Sequence, residues 1–391
     1  MLNFDRRLLQ LESSIQSVSD KIKSYDNVVL YGLGYILKLN IDNYIEWLGK
    51  PAFIVDKSIG GTVYNGVSVV SSLSDVCERI EGTFCVVITA PSYYEEISIE
   101  CKKYIPEDAI FKYFLPSSHS YRSFVKEQEK EIETFYFSLA DEISKITLEN
   151  YLSGKITGDW RYFAKVCVPN RAVNPSQLSA AEIDYPPLFD SEQSPYFPKD
   201  IFTLPKDVFF IDCGAYDGDT LTDFMKETNG ECTAAICIEL SKSNYDTLAE
   251  TAKKYHNVQC LHAGVWNENT SIEISDAGGP SLSIDASKNE SRTTNSTLVP
   301  LKKLDDIITD PRLNEYIHIY IKMDLEGAEL MALKGAEHTI KTHKPKLAIC
   351  VYHKDEDIIE IPAYLKSLNP DYSFYLRKYS ACQHELVLFA I

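Results

Sequence analysis

Long apolar runs are absent from this 391-residue sequence. No stretch approaches the roughly 18 to 20 consecutive apolar residues that are needed to cross a bilayer. Residues 1–10 alternate charged residues with leucine, which is not the pattern of a signal peptide. We therefore expect no membrane span and a cytoplasmic protein.

Positive charge is also scarce. Lysine and arginine number 39 against 57 aspartates and glutamates, which gives a formal net charge of -18. Nonspecific affinity for nucleic acid comes from basic side chains that displace counterions from the phosphate backbone. The charge balance therefore argues against DNA or RNA as a partner.

Paired cysteine motifs are missing, although the chain has ten cysteines. No CxxC pair occurs, and cysteine and histidine never recur at the short spacings of a structural zinc site. Cys85, Cys213, Cys237 and Cys350 lie within apolar, strand-like runs. The pattern predicts reduced, buried thiols and argues against structural zinc.

The chain has enough apolar material for more than one core, with 45% hydrophobic and 25% charged residues. Because single domains usually stop growing at roughly 250 residues, we expect two domains. We predict a Rossmann-like domain over residues 1–120, a helical and irregular connection over 121–194, and a second domain over 195–391.

The first part alternates between helical and strand-like segments. Residues 8–23 have apolar positions at helical spacing, and strands are predicted at residues 27–31, 52–56 and 83–89, with helix-compatible segments between them. Such alternation is typical of a parallel α/β sheet. Residues 121–152 turn helical, and residues 170–205 become rich in proline, serine and acidic residues, which marks a boundary.

Strands recur in the last part of the chain, with helical stretches between most of them. They are predicted at residues 208–211, 234–238, 258–262, 271–274, 317–323 and 346–351. Two β-prone runs within residues 373–391 suit an antiparallel hairpin at the sheet edge. The fold class is therefore α/β with two doubly wound, Rossmann-like domains, and no residue-level repeat relates the halves.

Suggestive residues follow four of these strands, at the sheet edge where ligands collect in open parallel sheets. The first strand leads into Asp212 to Thr220, which contains two glycines and several carboxylates. S-adenosylmethionine carries an ammonium and a sulfonium, and acidic groups suit these charges. Glu239 follows the next strand, where an acidic side chain can accept both ribose hydroxyls. Small residues follow the third strand, and Asp324 to Glu329 follow the fourth.

The blocks at residues 210–220, 321–329 and 351–354 resemble the FkbM family of methyltransferases in order and spacing, over roughly residues 195–391. The resemblance implies a class I methyltransferase fold, S-adenosylmethionine as cofactor, and O-methylation of a sugar or polyketide hydroxyl. One departure is Lys378, where related sequences often have histidine. By position, Asp212, Gly214 and Gly218 would line the methionine end, Glu239 the ribose, and Asp324 the methyl group. The full expected cofactor site is Asp212, Gly214, Ala215, Tyr216, Asp217, Gly218, Thr220, Glu239, Leu240, Ser241, Ala263, Gly264 and Asp324.

The expected catalytic residues are His353, Asp324 and Lys322. A neutral histidine near pH 7 suits removal of the acceptor proton, so His353 is the candidate general base. Asp324 could orient it, take the proton itself, or hold a divalent ion such as Mg²⁺. No metal-ligand set is assigned. Lys322 could simply pair with a carboxylate, and Glu329 is interpreted as a solvated first-turn acid.

The first domain leaves several functions open. Its turn Gly32-Leu33-Gly34 departs from GxGxxG because Leu37 takes the last glycine position, although Asp56 sits where a ribose-binding acid would be. Residues 28–70 resemble the nucleotide-sugar-binding domains of sugar-modifying transferases, so this domain would hold a nucleotide-sugar or mediate homodimerisation. The favoured substrate is a small-molecule sugar or glycan precursor. The rivals are an NAD-dependent oxidoreductase, which lacks a YxxxK pair here, and a catalytically silent cofactor-binding protein.

Overall fold

The computed structural model describes residue 13 and residues 16–90, 93–111, 119–157, 160–167, 194–232, 234–275, 296–308, 318–380 and 383–391. These residues divide into two compact units. Unit 1 takes its residues from 1–133, 148–189 and 380–383, and unit 2 from 134–147, 190–379 and 384–391. The domain boundaries near residues 120 and 195 stay predictions.

Unit 1 contains a six-stranded sheet in the order β3-β4-β2-β1-β5-β6. Its pairs are parallel except for the β3–β4 hairpin. The strands are β1 (Asn27–Tyr31), β2 (Phe53–Val55), β3 (Val63–Tyr64), β4 (Val67–Val70), β5 (Phe84–Ile88) and β6 (Ile110–Phe111). Buried valine, leucine and isoleucine side chains fill β1 and β5, as expected for parallel strands covered on both faces. The predicted parallel α/β sheet is therefore confirmed.

Helices connect and follow these strands. They are α1 (Tyr35–Leu48), α2 (Leu73–Cys77), α3 (Tyr94–Cys101), α4 (His119–Glu127), α5 (Glu129–Ser138), α6 (Glu142–Thr157) and α7 (Trp160–Val166). Residues 16–23 are helical as predicted, whereas residues 8–12 lie outside the described part of the chain. The helical interpretation of residues 121–152 agrees with α4 to α6, but residues 168–193 of the connection cannot be compared.

Unit 2 contains a seven-stranded sheet in the order β15-β16-β14-β13-β7-β8-β9. Strands β14, β13, β7, β8 and β9 run parallel to one another. Strands β15 and β16 form the terminal antiparallel hairpin, and β16 lies between β15 and β14 and is antiparallel to β14. The strands are β7 (Val208–Cys213), β8 (Ala234–Glu239), β9 (Val258–His262), β13 (His318–Met323), β14 (Lys346–Cys350), β15 (Phe374–Lys378) and β16 (Leu386–Ala390). The predicted hairpin is therefore present.

The helices of unit 2 are α8 (Asp219–Glu227), α9 (Lys242–Ala252), α10 (Leu304–Ile307), α11 (Glu329–Lys334), α12 (Glu337–His343) and α13 (Asp357–Leu368). A second, three-stranded sheet joins β10 (Gly264–Val265), β11 (Thr270–Ser275) and β12 (Ser296–Lys302) in the order β10-β12-β11. The sequence predicted β11 but missed β12. This strand contains Pro300 and alternates polar with apolar residues, so its pattern is weak.

Two expectations from composition can be compared with the fold. Within the described residues, no helix combines the length and apolar character that a bilayer span requires. The nine described cysteines are free, and Cys85, Cys213, Cys237 and Cys350 are buried. The prediction of reduced, buried thiols is thus confirmed for these four.

Candidate active site

The loop after β7 lies directly against the turn after β13. Gly214 has a φ of 82°, in the left-handed region, and a Cβ atom built on it would lie 1.9 Å from the carbonyl oxygen of Asp324. Only glycine permits so close an approach of two backbones. The amide of Asp324 in turn donates to the carbonyl of Cys213 at 3.0 Å. The strand ends that carry Asp212 and Asp324 are therefore locked together.

Asp212 and Lys322 occupy opposite positions on the paired strands β7 and β13, and both are buried. The Lys322 ammonium lies 3.1 Å from Asp212 Oδ1 and donates to the carbonyl of Gly214 at 2.6 Å. Burial raises the pKa of Asp212 to about 6, and Lys322 opposes that rise. Burial also lowers the pKa of Lys322, but Asp212 and Asp324 outweigh it and hold it above its usual value.

This pairing changes two expectations. Asp212 is 0% exposed and its cation is the internal Lys322, so its expected contact with the methionine end becomes an indirect one through the loop. Lys322, expected among the catalytic residues, is 2% exposed and holds the Gly214 loop instead of facing a substrate. The alternative interpretation, that Lys322 pairs with a neighbouring carboxylate, agrees with the structure.

Glu239 organises the end of β8. Its Oε2 accepts the amide of Tyr216 at 2.9 Å, and its Oε1 accepts the amide of Ser241 at 2.6 Å. Tyr216 has a φ of 47°, which is uncommon for a non-glycine residue and brings its amide to the carboxylate. Burial raises the pKa of Glu239, while the amides of Ser241 and Tyr216 oppose the rise. The carboxylate therefore joins the first loop to the second strand end.

The remaining residues of the first loop mostly support the backbone. Gly218 has a φ of 90°, and a Cβ atom there would lie 2.9 Å from the Thr251 side chain on α9. Asp217 accepts the amide of Asp219, and Thr220 is buried at the start of α8. Ala215 is buried, and its amide donates to the Ile238 carbonyl at 3.0 Å. Gly218 thus serves helix packing, in addition to any part in ligand binding.

Small and aromatic residues meet at the end of β9. Ala263 and Gly264 are buried, and the amide of Ala263 donates to the Glu239 carbonyl at 3.1 Å. His262 Nε2 lies 3.1 Å from the carbonyl of Leu240, and the His262 ring lies 5.2 Å from that of Tyr245. The end of β9 therefore lies beside Glu239, and the binding of adenine there stays a prediction.

Asp324 has a partner that sequence reasoning missed. The buried Tyr196 hydroxyl donates to Asp324 Oδ2 at 2.8 Å, and Lys322 lies 4.9 Å from the Tyr196 ring. Asp324 Oδ1 makes no hydrogen bond to any described residue. Tyr196 precedes Asp324 by 128 positions and lies in an irregular segment, so no local pattern could reveal the contact.

His353 lies among three carboxylates. Its Nδ1 is 2.9 Å from Glu329 Oε1, and its Nε2 is 3.5 Å from both Asp324 Oδ1 and Glu326 Oε2. The Glu329 contact is an ion pair when the imidazole is protonated. Burial lowers the pKa of His353, but Glu329, Asp324 and Glu326 outweigh it and raise the pKa to about 9. Without a bound cation, the surrounding carboxylates therefore favour the protonated form, in contrast to the neutral imidazole expected near pH 7.

Glu329 also differs from its expected state. It is 0% exposed instead of solvated, and its Oε1 accepts the amide of Leu325 at 2.7 Å. Helix α11 begins at Glu329, so Glu326 lies in the preceding turn with a φ of 53°, and not on the helix. Burial and a tight turn thus bring both acids toward His353.

The terminal hairpin brings one more acid to this edge. Glu385 precedes β16 with a φ of 58°, and burial, together with Asp324, raises its pKa to about 7. Lys378 is fully buried, opposes that rise, and donates through Nζ to the carbonyl of His384. Lys378, which stands where related sequences often have histidine, therefore stabilises the hairpin. The sequence alone did not identify Glu385 as a residue of this site.

In unit 1, the turn that follows β1 is held by the side chain of Asp56, which follows β2. The Asp56 carboxylate accepts the amides of Leu33 and Ser58, each at 2.9 Å. Gly32 has a φ of 108° and packs against Ala90, and Leu37 is fully buried in the following helix. Asp56 therefore supports the turn, and its expected ribose contact stays a prediction.

The order of the seven strands, with the last strand inserted antiparallel beside β14, defines a class I methyltransferase fold. Residues 212–373 match the family described as "Methyltransferase FkbM domain". The second unit therefore carries a domain of the FkbM methyltransferase family. The chain is also similar to the crystal structure of methyltransferase FkbM from Methylobacillus flagellatus KT. The alignment covers 98% of this chain and 100% of that protein, with 21% sequence identity and a TM-score of 0.68.

Other comparisons add less. A SAM-dependent methyltransferase from Aquifex aeolicus is similar over 52% of this chain and 94% of its own, with 14% identity and a TM-score of 0.30. A putative methyltransferase from Streptococcus mutans in complex with SAH is similar over 48% of this chain and 90% of its own, with 13% identity and a TM-score of 0.30. These TM-scores are too low to support the assignment. No curated protein matches the chain.

Proposed function

We propose that this methyltransferase transfers the methyl group of S-adenosylmethionine to a hydroxyl oxygen of a sugar or glycan precursor. The observation that carries the donor is the arrangement around Glu239, whose carboxylate lies where the ends of β7, β8 and β9 meet. An acid in this position can accept both ribose hydroxyls of a nucleoside. The methionine end of the donor would then extend along the Gly214 loop toward Asp324.

The acceptor would lie at the edge formed by Asp324, His353 and Glu385. Methyl transfer from a sulfonium is an in-line displacement, so the site must align the acceptor oxygen with the methyl carbon and the sulfur. Asp324 Oδ1 makes no hydrogen bond to a described residue, whereas Oδ2 is held by Tyr196. Oδ1, which lies 3.5 Å from His353 Nε2, would orient the acceptor hydroxyl, either directly or through a bound cation. The excess of carboxylates would also favour a positively charged donor.

The choice of a sugar hydroxyl as acceptor rests on the family resemblance and on the acidic, hydrogen-bonding character of this edge. The first unit would either bind a nucleotide-sugar that supplies this acceptor or join two chains in a homodimer. The rival oxidoreductase function would leave the FkbM match of residues 212–373 unexplained.

The direct test is turnover. The full-length protein is incubated with isotopically labelled S-adenosylmethionine and a panel of nucleotide sugars and glycans, and products are identified by mass spectrometry. Gain of one labelled methyl group on oxygen supports the proposal. Methyl transfer to nitrogen or carbon only would contradict the acceptor class, and absence of donor binding in calorimetry would contradict the donor.

The donor site is tested with Glu239→Gln. Removing the charge weakens hydrogen bonds to hydroxyls that are worth about 1.5 to 3 kcal/mol, so affinity for S-adenosylhomocysteine should fall by about 10- to 100-fold. The matched control is Glu250→Gln on the exposed face of α9, which should bind normally. Unchanged affinity in a folded Glu239→Gln protein would place the nucleoside elsewhere.

A further inference from the structure

The carboxylate cluster around His353 has the composition of a metal site. Asp324, Glu329 and His353 each offer one ligand atom, and these atoms lie within 4.8 Å of one another. Asp324 and Glu329 lie in the turn and helix that follow β13, and His353 follows β14, which is paired in parallel with β13. The sequence alone assigned no metal ligands, because the three positions are spread over 30 residues and follow no short spacing motif.

Several polar atoms in the cluster lack partners. The Glu329 side chain is fully buried, yet its Oε2 makes no hydrogen bond to any described residue. The His353 side chain is 9% exposed, and neither ring nitrogen makes a well-formed hydrogen bond within the described part of the chain. Asp324 Oδ1 likewise makes no hydrogen bond to any described residue. Buried polar atoms without hydrogen bonds are costly, and a shared cation would satisfy one ring nitrogen of His353 and the two carboxylates, in place of the proton on the ring.

The spacing also suits a small cation. Two ligand atoms of a tetrahedral zinc ion lie about 3.4 Å apart, since Zn–N and Zn–O bonds are about 2.0 to 2.2 Å long. His353 Nε2 lies 3.5 Å from Asp324 Oδ1, and His353 Nδ1 lies 2.9 Å from Glu329 Oε1. A single imidazole gives one nitrogen to an ion, so the 3.5 Å pair matches the tetrahedral spacing, and the set of three ligand atoms lies within 4.8 Å of one another.

We infer that Asp324, Glu329 and His353 bind a divalent transition-metal ion, Zn²⁺ or Mn²⁺, in preference to Mg²⁺. An imidazole nitrogen suits zinc and other transition metals, whereas Mg²⁺ prefers oxygen ligands in octahedral geometry. Tyr196, which donates to Asp324 Oδ2, is a positioning residue that directs Oδ1 toward the ion. Such outer partners commonly fix the orientation of a metal ligand.

The role of the ion rests on the proposed function. An ion there would lower the pKa of a bound acceptor hydroxyl, whose proton would pass to solvent water while its oxygen takes the methyl group and S-adenosylhomocysteine leaves. Binding of the ion itself is independent of the methyl donor. It can therefore be measured without any turnover.

The test uses full-length protein treated with a chelator and then titrated separately with Zn²⁺, Mn²⁺ and Mg²⁺ in a calorimeter. One Zn²⁺ or Mn²⁺ per chain should bind, Mg²⁺ should bind at least about 10-fold more weakly, and the bound ion should raise the thermal midpoint. Asp324→Asn and His353→Gln should each weaken binding by at least about 10-fold. Glu360→Gln, which removes an exposed carboxylate of α13, should have no effect.

Glu329→Gln provides a third variant, but Glu329 is buried and bonds Leu325, so the first two variants, checked by circular dichroism, decide the result. Absence of binding to the folded protein would overturn the inference. Binding that all of these variants retain would do so too, because the ion would then lie elsewhere. Calorimetry with S-adenosylhomocysteine and the turnover assay report separately on the proposed function, so the two can fail independently.

Discussion

At the scale of single residues, the pKa of Glu239 connects structure with donor binding. Burial raises this pKa above the ordinary value of 4.5. Because only the ionised carboxylate accepts hydrogen bonds through both oxygens, affinity for S-adenosylhomocysteine should fall as the pH drops through the raised pKa. The loss should therefore begin at a higher pH than for an ordinary glutamate. Calorimetry across acidic pH measures it, and Glu239→Gln should remove most of the pH dependence. An equally steep dependence in that variant would assign the titration to another group.

Lys322 gives a prediction about stability at the same scale. Replacing Lys322 with methionine leaves the Asp212 carboxylate buried without its cation, which should cost about 3 to 5 kcal/mol. The double variant Asp212→Asn with Lys322→Met removes both charges and should recover part of that loss. Thermal unfolding of the variants measures the difference, with the exposed Lys334→Met as a control. A double change that costs as much as the sum of the two single changes, Asp212→Asn and Lys322→Met, would show that the two side chains do not interact.

At the scale of elements, Arg377 on β15 fastens the start of α6 to the sheet of unit 2. Its guanidinium bonds Asp141 Oδ2 at 2.6 Å, Asp200 Oδ2 at 2.9 Å and Ser144 Oγ at 2.9 Å. Arg377→Met should destabilise unit 2 by about 1 to 3 kcal/mol, because it leaves the Asp141 carboxylate, which is 30% exposed, without its bidentate partner. Thermal unfolding monitors this loss, and the exposed Arg79→Met should change little. Wild-type stability in Arg377→Met would refute the role of this anchor.

Elements with strong apolar runs were predictable from sequence, whereas long-range contacts were not. β7, β8, β13 and β14 are buried over nearly all their residues, so hydrophobicity alone located them within one or two positions. Strand β12 has a mixed pattern, and its pairing with β11 depends on tertiary context. The anchoring of α6 by Arg377 joins positions 236 residues apart, which no local pattern encodes.

At the scale of the whole molecule, the sequence predicted which strand ends would meet but not the electrostatics between them. The parallel order brought Asp212, Glu239 and Asp324 to one edge, as expected from the rule for open sheets. The charge states at this edge depend on contacts within the folded protein, where Asp212 pairs with Lys322 and His353 lies among carboxylates. Protonation states depend on neighbours and desolvation, which residue spacing alone does not give.

Tyr196 determines how much of the chain a working fragment must contain. The family match begins at residue 212, whereas the hydroxyl that holds Asp324 comes from residue 196, and two partners of Arg377 come from residues 141 and 144. A recombinant fragment cut at the start of the family match would lose most of strand β7 from the parallel sheet, and with it the phenol that holds Asp324. Any excised catalytic module therefore has to retain residues well upstream of the recognisable domain.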